Sequence, residues 1–259
     1  MSSLLETAGT QRESAMPAPG WRAGVRTAAV HCEAGSVILP FDGRDNRAAE
    51  QYRIVRTKLT YSPARPRFLT VTSPHVADGK SVTAVNLGGS LALKEGTHVL
   101  LIDADLRRST LSAMLDIPAV PGLADVLRGE CSLEAAVVRL ETHPGLYVLP
   151  SGADGSNPAE LFDSESWRNL CAAVRGEFDY VVADTTPAGV VADYELVQAA
   201  ADGVILVVRP DVTSRRRCYE ALDCIAREKL LGVLLNSVPD WLFARAAGHG
   251  YHYYRGHDD

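Results

Sequence analysis

Short apolar runs alternate with helical stretches along most of this chain, and this alternation constrains the fold more than any other feature. The runs are Phe68–Thr72, Val99–Asp103, Leu146–Pro150, Tyr180–Asp184, Gly203–Val208 and Leu231–Asn236. The helical stretches are Asn46 to about Tyr61, Ser81–Lys94, Gly122–Arg128, Leu133–Leu140, Pro158–Glu177, Tyr194–Ala200 and Ser214–Lys229. Strands that are apolar throughout are typical of parallel sheets covered by helices on both faces. The pattern therefore predicts an α/β fold with a doubly wound, mainly parallel sheet.

The chain divides into a core and two terminal segments. Residues 1–43 are interrupted by proline and glycine and sustain no helical or strand period, which predicts a flexible N-terminal arm. Residues 44–246 carry the alternating pattern and are expected to form one domain. Residues 247–259 are rich in glycine, histidine and tyrosine and are expected to form an exposed tail. The total of 259 residues suits one large domain with tails.

Charge and composition exclude several classes of protein. A net charge of -6 argues against a general nucleic-acid binder, which needs cations to neutralise phosphates. No apolar run approaches the roughly 20 residues that span a bilayer. The five cysteines are scattered, and the sequence shows no signal peptide, which favours a reducing compartment. We therefore expect a cytoplasmic protein with no direct membrane span.

A phosphate-binding loop is predicted between the first apolar run and the following helix. The segment from Ser73 to Ser81 ends in Gly79-Lys80-Ser81. Backbone N–H groups at such a loop hold phosphate oxygens, the lysine reaches the β- and γ-phosphates, and the serine hydroxyl ligates Mg²⁺. An ordinary strand-to-helix turn with a solvated lysine is the alternative. The residues expected around ATP are Val76, Ala77, Asp78, Gly79, Lys80, Ser81 and Val82.

Carboxylates follow two other apolar runs. Asp103 and Asp105 lie at the end of the second run, and Asp184 ends a later one. Carboxyl ends of parallel strands meet at one edge of a sheet, where carboxylates can share a metal or a substrate. Mg²⁺ needs only one or two of them because it keeps several waters. We expect Asp103 and Asp184 near Mg²⁺ and Asp105 to accept or orient a substrate proton, although the first pair could instead cap the next helix.

Together these segments resemble the bacterial tyrosine kinases of capsule and exopolysaccharide synthesis, a P-loop group related to division-site and chromosome-partition ATPases. The resemblance covers about residues 46–259. The family's first nucleotide motif resembles Ala77–Ser81, its acidic motif DxDxR resembles Asp103–Arg107, and its third motif DxxP resembles Asp184–Pro187. The resemblance implies that Arg107 and Asn236 contact the nucleotide, whereas the residues alone allow an Asx turn at Asn236 equally well.

Two further features carry the resemblance. The family's ExxRxxR helix, used for self-association in a ring, resembles the segment that contains Glu50, Arg53 and Arg56. A charged stripe of this kind is otherwise usually a solvated helix face. The family's autophosphorylated tail has as its counterpart the cluster Tyr251, Tyr253 and Tyr254.

The resemblance implies an ATP- and Mg²⁺-dependent tyrosine autokinase that controls the chain length or export of a surface polysaccharide. It also implies a membrane-embedded co-polymerase or activator that recruits the kinase to the inner face of the cell membrane. One alternative is an ATPase switch of the partition or division-site type, but the signature lysine of that group is missing from Pro74-His75-Val76. The other is a non-catalytic nucleotide-binding scaffold, which the departures from the motif at Pro74, Ala77 and Val82 favour modestly.

Overall fold

One sheet of eight strands organises the protein, whose computed structural model describes residues 21–30, 37–41, 47–153 and 156–238. The strands are β1 (Arg26–Ala28), β2 (Phe68–Thr72), β3 (Val99–Asp103), β4 (Val138–Leu140), β5 (Leu146–Leu149), β6 (Tyr180–Asp184), β7 (Gly203–Val208) and β8 (Leu230–Leu235). The helices are α1 (Arg47–Thr60), α2 (Lys80–Ala92), α3 (Leu111–Leu115), α4 (Leu123–Leu127), α5 (Leu133–Ala136), α6 (Pro158–Phe162), α7 (Glu165–Glu177), α8 (Ala192–Ala200) and α9 (Arg215–Asp223). A 3₁₀ turn at Trp21–Gly24 precedes β1.

The strand order is β1-β4-β5-β3-β6-β2-β7-β8, and every neighbouring pair is parallel except β4 with β5. Every residue of β2, β3, β5 and β7 is buried. Successive side chains of a strand point to opposite faces, so Leu100 and Ile102 enter one apolar core while Leu101 enters the other. The structure confirms the predicted α/β fold with a mainly parallel sheet.

The structure differs from the sequence expectation at the sheet edge beside β5. The stretch predicted as a helix to Leu140 leaves the helix after Ala136, and Val138–Leu140 form β4. Its partner β1 lies within the segment expected to be an arm. Three residues are too few to display a period, and a strand pairing between residues so far apart in sequence leaves no local signal.

Two helix predictions are also corrected, and one helix of the structure was not predicted. The helix expected over Pro158–Glu177 is two helices, because the Ser164 hydroxyl accepts a hydrogen bond from the Trp167 N–H and starts α7 as its N-cap. The helix predicted from Ser214 ends at Asp223 rather than Lys229, and α3 was not predicted. None of the helices in the described ranges has the length and apolar character required to span a bilayer.

The strand order decides what meets at the carboxyl edge of the sheet. β2, which leads into the predicted phosphate loop, pairs with β6 on one side and β7 on the other. β3 pairs with the far side of β6, and Asp103 lies directly beside Asp184 in the register. The acidic strand ends and the loop therefore lie side by side, in the crevice where open parallel sheets bind ligands.

Candidate nucleotide and metal site

The loop between β2 and α2 turns sharply through two residues in the left-handed region. Ala77 has φ = 67° and Gly79 has φ = 95°. Glycine adopts this conformation freely, while a left-handed alanine costs roughly 1–2 kcal/mol. The turn starts α2 at Lys80, and the first N–H groups of a helix have no acceptor within it. The positive end of α2 is therefore available to an anion at this loop.

Contacts from two distant segments hold the loop in place. The buried Asp78 carboxylate accepts hydrogen bonds from the His75 N–H at 3.0 Å and from the Thr213 hydroxyl at 2.6 Å. Asn236 Nδ2 donates to the Asp78 carbonyl at 2.9 Å. The loop is thereby tied to the β7–α9 connection and to the end of β8. Sequence reasoning missed Thr213, which belongs to no motif and meets Asp78 only through the fold.

Lys80 lies between two carboxylates, one at the end of β6 and one just beyond the end of β3. Its Nζ is 2.9 Å from Asp105 Oδ2 and 3.4 Å from Asp184 Oδ1, and only 9% of the lysine side chain is exposed. Burial alone would lower the lysine pKa, but the charges of Asp184 and Asp105 outweigh it and raise that pKa. Lys80 is therefore a charged ammonium held between the carboxylates of Asp105 and Asp184.

Asp103 and Asp184 have oxygens with no hydrogen-bond partner among the described residues. Asp103 Oδ2 accepts from the Ser109 hydroxyl at 2.7 Å and from the Leu111 N–H at 3.3 Å, whereas its buried Oδ1 has no partner. Asp184 Oδ2 is likewise buried without one. Burial, reinforced by the charge of Asp184, raises the pKa of Asp103 to about 7, and burial also raises the pKa of Asp184. Such unsatisfied oxygens are unfavourable unless a cation or donor meets them.

This donor set fits Mg²⁺ bound together with phosphate. The Ser81 hydroxyl accepts a hydrogen bond from Lys80 Nζ at 3.3 Å, and the same Nζ donates to Asp184 Oδ1 at 3.4 Å. Across the described ranges, no cluster of three or more His, Cys, Asp or Glu side chains is placed to hold a metal alone. Mg²⁺ bound with a nucleotide needs no such cluster, since phosphate oxygens and waters complete its shell. Ser81, Asp103 and Asp184 are thus suitable protein ligands.

The remaining predicted residues make contacts away from the phosphate loop or lie outside the described ranges. Arg107 points to the buried Asp193 at the start of α8 and donates to it at 2.7 and 3.2 Å. The predicted self-association residues lie on α1, where Arg53 pairs with Glu50 at 3.0 Å on the exposed side. Arg56 instead donates to the Ser90 carbonyl of α2 at 2.9 Å. The tail tyrosines Tyr251, Tyr253 and Tyr254 lie outside the described residues.

Comparisons with known proteins agree with this geometry. Residues 76–227 match the AAA domain family. The chain is 35% identical over 192 residues to the tyrosine-protein kinase YwqD of Bacillus subtilis, covering 73% of this chain and 80% of that protein. It is 32% identical over 195 residues to the tyrosine-protein kinase CpsD of Streptococcus agalactiae, covering 74% of this chain and 84% of that protein. The kinase domain of the Escherichia coli tyrosine kinase ETK superposes with a TM-score of 0.72 at 26% identity, covering 78% of this chain and 80% of that domain.

Proposed function

The chain belongs to the family of bacterial tyrosine-protein kinases, and we propose that it is an ATP- and Mg²⁺-dependent autokinase whose substrates are Tyr251, Tyr253 and Tyr254 of its own tail. The observation that carries the proposal is the position of Lys80. Its ammonium lies at the start of α2, within reach of Asp105 just beyond β3 and of Asp184 at the end of β6. One cation thus joins the phosphate loop to the acidic residues that would hold the metal and the substrate hydroxyl.

The chemistry follows from charge and position. Bound Mg-ATP would supply the phosphoryl group, and its Mg²⁺ would meet the unpartnered oxygens of Asp103 and Asp184. Lys80 would hold the β- and γ-phosphates, while Ser81, Asp103 and Asp184 hold the metal. If Lys80 turned toward the phosphates it would leave Asp105, whose carboxylate could then accept the tyrosine proton while the tyrosine oxygen bonded the γ-phosphorus and ADP left. The Arg108 N–H, which donates to Asp105 Oδ1 at 3.0 Å, keeps that carboxylate in place.

We also propose that the kinase regulates the synthesis or export of a surface polysaccharide, as its family membership suggests. In this role a membrane-embedded co-polymerase or activator would recruit it to the inner face of the cell membrane. Self-association in a ring would bring the tail of one subunit to the site of the next. The exposed Glu50–Arg53 pair on α1 supports such an interface.

The kinase proposal is tested with purified protein, Mg-ATP and an anti-phosphotyrosine blot. Lys80→Met should abolish the signal, because it removes the only side-chain cation of the loop. Lys94→Met is the matched control, since Lys94 is exposed just beyond the end of α2. Labelling that survives Lys80→Met would refute the site assignment. ATP hydrolysis without phosphotyrosine would indicate an ATPase switch, and nucleotide binding with neither activity would indicate a scaffold.

The interface proposal has a matched pair of variants on one helix. Arg53→Ala removes an exposed charge and should lower the oligomer mass in light scattering without changing thermal stability. Arg56→Ala removes the hydrogen bond to Ser90 and should lower the unfolding temperature as well. If Arg53→Ala leaves the mass of the assembled protein unchanged, Arg53 is not at the interface.

A further inference from the structure

Three consecutive arginines, Arg215, Arg216 and Arg217, form a basic turn at the start of α9. The first turn of a helix carries partial positive charge, so cations are unfavourable there. Arg216 is paired with Glu220 at 2.8 Å, whereas the exposed side chains of Arg215 and Arg217 have no partner among the described residues. The whole chain has a net charge of -6. Neither helix stability nor overall charge therefore explains the basic turn.

The basic turn lies beside the phosphate loop and beside the place where the C-terminal segment begins. The Thr213 hydroxyl, two positions before the turn, donates to the buried Asp78 carboxylate of the loop at 2.6 Å. Asn236, directly after β8, donates to the carbonyl of the same Asp78 at 2.9 Å. The described chain ends at Val238, two positions after Asn236. One residue of the loop thus holds both the start of α9 and the end of the described chain.

The tail supplies an anion that suits these arginines once its tyrosines are phosphorylated. A phosphotyrosine carries about -1.5 to -2 charges and three acceptor oxygens, and a guanidinium binds phosphate through two parallel hydrogen bonds. Tyr251 follows Val238 by thirteen positions, which an extended chain spans over at most about 45 Å. Without phosphate, the stretch Tyr251–Asp259 contains one arginine and two aspartates and is almost neutral. The charge complementarity therefore depends on phosphorylation.

We propose that the basic turn of α9 binds the phosphorylated tail of this chain, with Arg215 and Arg217 holding a phosphotyrosine. The inference rests on the proposed function, because kinase activity must supply the phosphate. In the strand order β3-β6-β2-β7, Asp105 follows β3 and the basic turn follows β7, and these strands are three spacings, about 14 Å, apart. A phosphotyrosine held at the basic turn therefore leaves the acceptor position at Asp105 free for the next tyrosine.

A synthetic peptide of residues 247–259 with phosphate on its three tyrosines tests the docking without any kinase activity. The full chain carries Tyr251→Phe, Tyr253→Phe and Tyr254→Phe, so that its own tail cannot be phosphorylated and compete. In fluorescence anisotropy at low salt, the phosphopeptide should bind at least about 10-fold more tightly than the unphosphorylated peptide. Arg215→Ala combined with Arg217→Ala should remove most of this difference. This double variant should unfold at an equal or higher temperature, because it removes cations from a helix N-terminus.

Arg65→Ala combined with Arg227→Ala is the matched control, since both arginines are exposed and precede strands at the opposite, amino edge of the sheet. It removes the same two charges and should change the phosphopeptide affinity by less than about 2-fold. Equal losses in the two double variants, or equal binding of the two peptides, would overturn the proposal. Phosphatidylglycerol vesicles that bind through Arg215 and Arg217 when the phosphopeptide does not would also overturn it, because a membrane surface would then be the partner. A failed kinase assay would refute the proposed function but leave this binding result standing.

Discussion

Replacing Gly79 by alanine should damage the phosphate loop in two separable ways. At φ = 95° the backbone is left-handed, and a Cβ at this position would collide with the Asn236 amide. Gly129 provides the control, because it has φ = 73° and open space around its would-be Cβ. Both alanines meet left-handed strain of roughly 1–2 kcal/mol, partly offset by about 0.4–1 kcal/mol from a stiffer unfolded chain. Gly79→Ala must also displace Asn236 from the Asp78 carbonyl, which costs about 0.5–1.5 kcal/mol more.

These terms predict distinct shifts in thermal unfolding measured without nucleotide. For a domain of this size about 1 kcal/mol corresponds to roughly 2–4 °C. Gly129→Ala should lower the midpoint by about 2–4 °C and Gly79→Ala by about 4–8 °C. Asn236→Ala added to Gly79→Ala should cost almost nothing further, since the hydrogen bond is already lost. Equal shifts for the two glycine variants, or a full additional loss from Asn236→Ala, would refute the reasoning.

Three further predictions concern buried polar contacts. Burial and the charge of Asp184 raise the pKa of Asp103 to about 7. Between about pH 4 and 7 the folded protein therefore binds a proton that the unfolded chain does not, and its stability falls as pH rises through that window. Asp103→Asn should flatten this dependence in melts with EDTA, and an unchanged slope would contradict the assignment. Arg107→Met should lower the free energy of unfolding in denaturant by about 1–2 kcal/mol, less than for a fully buried pair because the Arg107 side chain is 46% exposed. Adding Asp193→Asn should recover most of this loss, and no recovery would contradict the pairing. Thr213→Val should weaken nucleotide binding about 5- to 10-fold in calorimetry by releasing Asp78, whereas an unchanged affinity would show that this hydrogen bond does not shape the loop.

The central strands could be predicted from the sequence because burial leaves a direct mark on composition. The apolar runs at Phe68–Thr72, Val99–Asp103, Tyr180–Asp184 and Gly203–Val208 coincide with strands of the structure. The region Leu133–Leu140 could not be resolved in the same way, since a short apolar stretch fits a helix or a strand. Its division into α5 and β4 depends on the pairing of β4 with β5 and with β1, and β1 is more than a hundred positions away in sequence.

The candidate site, like the fold, could be predicted only in part from the sequence. Lys80, Asp103 and Asp184 are predictable because each follows or ends a parallel strand and such ends share one edge. The contacts that orient these side chains could not be predicted, because they join segments that share no motif. Arg107 meets Asp193 and Arg56 meets Ser90 only because helices pack where the tertiary fold places them. A sequence motif thus identifies the candidate site residues, whereas the tertiary fold determines which charged side chains are paired elsewhere and which can contact a ligand.

Mixing two inactive partners tests the central claim, that this site phosphorylates tail tyrosines of another subunit. One is the Lys80→Met chain, with an intact tail and no phosphate lysine. The other carries Tyr251→Phe, Tyr253→Phe and Tyr254→Phe, with an intact site and no tail substrate. Incubated with Mg-ATP, each should stay unlabelled alone, and the mixture should gain phosphotyrosine that mass spectrometry maps to the tail of the Lys80→Met chain. A mixture that binds ATP and assembles but stays unlabelled, or whose label lies on core tyrosines, would contradict the account.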